Sequence, residues 1–356
     1  MMKSLRFAAM VVALVTAAGA QTGPGYALNE RGNEAAARRD YSAAEQFYSQ
    51  ALEAWRSEGA SSDPYVATTL INLGELYCSE GKWRQALTVA QQALELNRRS
   101  LGLKHIRTVT NLNVLGNIYL FLGELDKAEA AYDEALPVEE KLYPHDLQLA
   151  QTLAGLSSVR MRMGRAEENL PLAERALSLA IETQGEQNMA VAGMYSNLAQ
   201  LHVQAGRPER AIPLFRKARA ITEQILGADN PALAALLSSE GSALMNDGQL
   251  GLAGDKMEQA IRLLAQCADC KYELAVAECN LGVLRFRQHQ YDQADRLLTA
   301  GLAMEEQFAP RASADQVATL RVLAKLREKQ KRYTDAVTLK SRANAMAAFR
   351  EPASVN

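Results

Sequence analysis

Three groups of side chains in this 356-residue chain have the types and spacing to do chemistry. The first is Cys267-Ala268-Asp269-Cys270, two thiols three residues apart. At that spacing they can close a local disulfide in an oxidising compartment, or stand as two free thiols. A redox-active pair needs a βαβ setting that is missing here. A haem-attachment motif would carry histidine where Lys271 stands, and zinc would need four ligands with only the distant His289 on offer. The second group is Arg321, Lys325 and Lys329, spaced by four and so on one helix face. Arg285, Arg287, Lys331 and Arg332 are further cations of the same region. Such a row can steer an acidic segment, or can simply be a solvated face. The third is the set of histidines, His105, His145, His202 and His289, too scattered to pair as ligands or as acid and base. No phosphate-binding glycine loop and no nucleophile elbow accompanies them. The chain reads as a binding protein without cofactor or metal, not as an enzyme.

The N-terminus gives a compartment. Lys3 and Arg6 precede an apolar run from Phe7 to Ala17, and Ala18-Gly19-Ala20 supplies small residues at a cleavage site. This layout predicts a secretory signal over 1–20, cut after Ala20, and a periplasmic or extracellular protein. The apolar run is too short to cross a bilayer comfortably, so a retained anchor is the lesser alternative. The formal charge is -2 from 39 basic and 41 acidic residues, and removing Lys3 and Arg6 leaves 37 against 41. A nucleic-acid partner, which calls for a basic excess, is not expected. With 48% hydrophobic and 22% charged residues the chain should fold.

What must position these groups is an internal repeat. Three series of small residues recur together: Gly32, Gly74, Gly116, Ser157, Ala199, Gly241, Gly282, Ala324; then Ala44, Ala86, Ala128, Asn169, Ala211, Ala253, Ala294, Ala336; then Ala51, Ala93, Ala135, Ala176, Ala218, Ala260, Gly301, Ala343. All three step by 42, 42, 41, 42, 42, 41 and 42 residues. Of these 24 positions 22 are Ala or Gly, where overall composition predicts about six. Each unit reads as two amphipathic helices, as in Leu70, Leu73, Tyr77 followed by Leu87, Ala90, Leu94. Gly81, Gly123, Gly164, Gly206 and Gly248 mark the turn between them, where a left-handed residue ends a helix. Small residues recur because helices that cross closely leave no room for more.

Stretches such as NLGELYCSEGKWRQALTVAQQAL and NLGVLRFRQHQYDQADRLLTAGL resemble tetratricopeptide repeats. They carry that family's small residue in the first helix (A), an aromatic opening the second (B: Tyr41, Trp83, Tyr291, Tyr333), and its two alanines. The period is similar to the long variety of kinesin light chain, and LGADNPALA (Leu226 to Ala234) looks like that variety's linker, with LGLKHIRTV a looser copy. The resemblance implies an all-α, right-handed superhelical solenoid of about eight helix-turn-helix repeats over 27–349, after a linker at 21–26 and before a tail at 350–356. It also implies a groove lined by A helices, with Asn72, Asn113, Asn197, Asn280 and Gln200 gripping the backbone of an extended peptide, and Arg321 and Lys325 at its basic end. Asn29, Asn33, Asn117, Ser196, Ser238 and Ser242 would lie close by. Asn72, Asn197 and Asn280 match the family's NLG/NLA placement; Asn113 is one residue off it. An amide donates and accepts, so it suits a peptide group; it also suits plain solvation of a helix.

The implied function is a non-enzymatic scaffold for a protein or peptide. Self-association into a structural assembly is the alternative, and redox or electron transfer by the C-x-x-C pair a remote one. The carboxylate-binding clamp of chaperone-binding members is not expected, because Glu30, Glu75 and Gly155 break its pattern. Glu240 and Glu278 sit where other repeats have leucine, predicting a shifted register or a loosened joint around repeats six and seven. Pro171 and Pro213 share a place in helix B and predict a common bend. His202 takes the place of Tyr77 and Tyr119 and is expected to pack in the core.

Overall fold

The computed structural model describes residues 23–57, 63–308 and 314–348; the expected secretory segment 1–20 and tail 350–356 lie outside them. Among the described residues every regular element is a helix, sixteen in total. The chain divides into two compact units, Met2–Gly185 and Glu186–Asn356. The first holds α1 (Pro24–Ala37), α2 (Tyr41–Ser57), α3 (Asp63–Ser79), α4 (Trp83–Leu101), α5 (Ile106–Leu122), α6 (Leu125–Leu142), α7 (Leu147–Arg162) and α8 (Ala166–Gln184). The second holds α9 (Met189–Gln204), α10 (Pro208–Leu226), α11 (Leu233–Asn246), α12 (Leu250–Ala265), α13 (Lys271–Arg287), α14 (Tyr291–Phe308), α15 (Ala314–Lys329) and α16 (Tyr333–Ala348). Each odd helix is an A helix paired with the B helix that follows, and within a unit each B helix packs on the next A helix. Helix α1 starts at Pro24, inside the expected 21–26 linker, since proline fits the first helical turn at no loss of a bond.

Small residues sit where rings press on backbone. A Cβ added at Gly32 would stand 2.5 Å from the Tyr48 ring. Tyr132 lies against two glycines, so a Cβ at Gly116 or Gly155 would come within 2.6 or 2.5 Å of it. The A-to-B turn takes φ of 72–82° at Gly81, Gly123, Gly164, Gly206 and Gly248. Three repeats make the same turn with a side chain, Arg39, His289 and Lys331, each at φ 61°. Helices α8 and α10 run unbroken through Pro171 and Pro213.

Polar links recur between repeats. Tyr77 donates to Glu45 at 2.8 Å, and in the same register Arg160 donates to Glu129 at 3.0 Å and Arg327 to Asp295. Arg162 and Arg287, again equivalent, donate to the Leu120 and Met245 carbonyls ending the preceding A helices. Each of these two links adds a second donor to a carbonyl that already accepts from the turn glycine, Gly123 or Gly248.

The expected register shift at Glu240 does not occur. Gly241 and Glu240 both stay buried in α11, and Glu240 accepts from Arg216 Nε at 3.1 Å and Arg219 Nε at 3.2 Å, both on α10. Two guanidiniums supply the charge that a leucine position does not need. Glu278 is half-buried, at the edge of its joint, and burial raises its carboxyl.

Candidate functional site

The face of each A helix turned away from its B helix is the candidate binding surface. It carries residues one place after and two places before the small position, on one helical stripe. In the second unit these are Asn197 and Gln200 on α9, Ser239 and Ser242 on α11, Asn280 and Val283 on α13, and Val322 and Lys325 on α15. All are half-buried except Lys325, which is exposed with its neighbours Arg321 and Lys329. The surface thus changes from neutral amides and hydroxyls to cations along the repeats.

Most of the other cations of the last hairpin are paired, Lys331 being an exception among the described residues. Arg327, Arg332, Lys340 and Arg342 are paired with Asp295, Asp335, Glu328 and Glu306. Among the described residues Arg321, Lys325 and Lys329 have no such carboxylate. A row of three like charges with no internal counter-ion is electrostatically open to an acidic partner.

The first unit is different. Its equivalent places hold Glu30, Asn33, Asn72, Glu75, Val114, Asn117, Gly155 and Ser158. Asn72 Nδ2 donates to Asn29 Oδ1 (3.2 Å) and Asn33 Oδ1 (3.1 Å), while Tyr48 and Tyr132 donate to Asn33 and Asn117. These amides hold one another and the rings beneath. Asn113 is 8% exposed and donates to Glu139 at 2.9 Å, so it serves the joint between repeats and is left out of the contact surface. Trp83 stacks on Phe121 at 4.1 Å and 9°, a pairing between different repeats that spacing along the chain does not reveal.

The four histidines stand apart in the fold. His105 caps α5 by accepting from Arg107 N, His145 lies 3.5 Å from Glu182, His202 is buried, and His289 forms a turn. Cys267 and Cys270 are joined in a disulfide. It stands where α4, α8 and α10 end on glycines of positive φ (Gly102, Gly185, Gly227), and α12 is three residues shorter than those helices. Burial pushes the Cys78 thiol up to about 12 and raises Cys279 as well, so neither is a ready nucleophile. Among the described residues no cluster of three or more His, Cys, Asp or Glu could hold a metal, and no helix is long and apolar enough to cross a membrane. Two open crevices, 320 and 790 Å³, flank α4 between neighbouring B helices; charged rims over apolar floors converge on no polar centre.

The tetratricopeptide repeat sequence profile matches residues 25–99, 65–141, 148–224 and 190–266. Kinesin light chain-related protein 1 of Arabidopsis thaliana is 26% identical over 160 residues, 44% of this chain and 26% of that protein. The chain therefore spans about a quarter of that curated relative. Among solved structures, the apo quorum sensor NprR of B. thuringiensis is similar with TM-score 0.70 at 12% identity, over 91% of this chain and 87% of that one. A Rap protein complexed with competence and sporulation factor is similar with TM-score 0.60 at 15% identity, over 86% and 80%.

Proposed function

The chain belongs to the tetratricopeptide repeat family, and on that premise we propose that it is a non-enzymatic scaffold holding an extended, acidic segment of a partner protein on its A-helix faces. The row Arg321, Lys325 and Lys329, without a carboxylate partner among the described residues, carries this reading. Asn197, Gln200 and Asn280 would hold the segment's main chain, each bond contributing about 0.5–1.5 kcal/mol. The similar Rap protein is complexed with a factor, which agrees with a binding role for this fold. We further propose that the chain acts outside the cytoplasm, on the strength of Lys3, Arg6, the apolar run and Ala18-Gly19-Ala20.

A crosslinking pull-down from the producing cell, run with the natural chain and with Arg321→Glu/Lys325→Glu, tests the function. The account expects a partner that the natural chain retains and the reversed one loses. Equal recovery by both would contradict it. Immunodetection of the chain in cell fractions tests the location, and a wholly cytoplasmic chain of full length would contradict export.

A further inference from the structure

Glu139 on α6 and Glu305 on α14 occupy the same register, four residues after the third small position of helix B. Both are 0% exposed. The six equivalent places hold Trp55, Asn97, Ala180, Thr222, Leu264 and Ala347, none of them ionisable near neutrality. At this point a B helix meets the A helix of the next repeat, α7 for Glu139 and α15 for Glu305.

Glu139 has fewer donors than a buried carboxylate needs. Asn113 Nδ2 of α5 donates to Oε1 at 2.9 Å, and Oε2 receives no donor. Thr152 of α7 is the other polar neighbour, and its hydroxyl already donates to the Gln148 carbonyl at 3.0 Å. Around Glu305 the equivalent neighbours are Cys279 of α13 and Thr319 of α15; the weak thiol donor of Cys279 faces the carboxyl, and no N–H or hydroxyl donor reaches either oxygen. The charged groups that act on the two carboxyls are acidic: Asp146, the N-cap of α7, for the first site, and for the second Asp315 of α15 and Glu306 of α14, the latter paired with Arg342 of α16, with Glu278 of α13 beside Cys279. Glu240, equally buried, shows the other solution, two arginines.

We propose that Glu139 and Glu305 are proton-held latches, neutral when the α6–α7 and α14–α15 joints are closed and loosening both joints when they ionise. Burial pushes each carboxyl up to about 7, which places the transition near neutrality. The folded chain then keeps protons that the unfolded chain has released. The stability they contribute is complete below the ordinary glutamate value and is lost as pH rises through about 7.

Urea unfolding of the full chain at about pH 5 and about pH 8 tests this, because a carboxyl shifted by one unit or more changes the folding constant roughly tenfold or more. The unfolding constant of the natural chain should rise by at least that factor per site over the interval. Glu139→Gln and Glu305→Gln, shaped like the protonated acid, should each remove one share, and the double variant should keep only the slope of other groups, Glu75 among them, whose carboxyl burial also raises. Glu240→Gln should leave the slope in place. The same slope in the natural chain and the double variant would overturn the proposal, as would flattening by Glu240→Gln equal to that of the double variant. Should a variant fail to fold, the infrared spectrum of the natural chain at about pH 6 decides: a protonated-carboxyl band supports the latches, and its absence overturns them.

Discussion

The Tyr132 hydroxyl donates to Asn117 Oδ1 at 2.8 Å, and two repeats earlier Tyr48 makes the same bond to Asn33 at 2.9 Å. In each case a ring from helix B reaches under a glycine of helix A and fixes an amide on the A-helix face. Packing and candidate surface are therefore coupled through single side chains. Tyr132→Phe should lower stability by about 0.5–1.5 kcal/mol through the lost bond. Gly155→Val should lower it by about 1–3 kcal/mol or more through overpacking against the ring. Thermal unfolding checks both, and a neutral Gly155→Val would mean the ring has somewhere else to go.

The buried Glu240 depends on its partners. Removing one side of such an arrangement costs about 3–5 kcal/mol, whereas an apolar replacement of the acid is often neutral. Arg216→Ala/Arg219→Ala should therefore destabilise strongly in urea titrations, and Glu240→Leu, which restores the residue of other repeats, should not. The reverse order of stabilities would show that the acid does more than fill a joint.

Three turns hold a side chain in the left-handed region, which costs roughly 1–2 kcal/mol for most residues. His289→Gly and Lys331→Gly, matching the glycines of five other repeats, should each raise the midpoint of unfolding by an amount worth about 0.5–1 kcal/mol. A lower midpoint would show that these side chains make contacts exceeding the strain.

The disulfide closes only four residues, so its loop-entropy contribution is about 2 kcal/mol at most. Cys267→Ser/Cys270→Ser should leave the fold in place by circular dichroism while hydrogen exchange quickens at the α12 end and the α13 start. Exchange quickening throughout the second unit would mean that the bridge supports the whole unit.

The period and the crossing points were legible because close helix crossings demand Ala or Gly, which leaves a trace in composition. The left-handed turns at Arg39, His289 and Lys331 were not, since nothing but structure reveals a positive φ in a residue with a side chain. Asn113 was misplaced for a geometric reason: one residue is about 100° around a helix, enough to turn an amide from the outer face into a joint. Glu240 looked like a conflict because its guanidinium partners lie on the preceding helix, out of reach of a local reading. The polar groups that join repeats, and the buried Glu139 and Glu305, escaped notice likewise, as their partners come from neighbouring hairpins. The cationic row was legible as spacing; that Arg321, Lys325 and Lys329 have no carboxylate partner among the described residues, while Arg327 and Arg332 have one, was not.

Binding strength should respond to salt. Reversing Arg321 and Lys325 to Glu should weaken partner binding more at low ionic strength than at high, because exposed charges are screened over about 8–10 Å in physiological salt. Asn197→Ala/Asn280→Ala should weaken binding by about 1–3 kcal/mol, two bonds' worth, at any salt and with helicity unchanged. Titration calorimetry against the captured partner separates the two effects; equal loss at both salts for the charge reversal would show that the row acts other than electrostatically.

Photo-crosslinking is the most direct test of where a partner lies. An ultraviolet-activated residue placed in turn at Gln200, Asn280 and Lys325 on A helices, and at Glu209, Asp292 and Thr299 on B helices, is exposed in the producing cell. The account predicts adducts with one partner from the first three positions and none from the last three. Adducts from the B-helix positions, with none from the A-helix face, would contradict it.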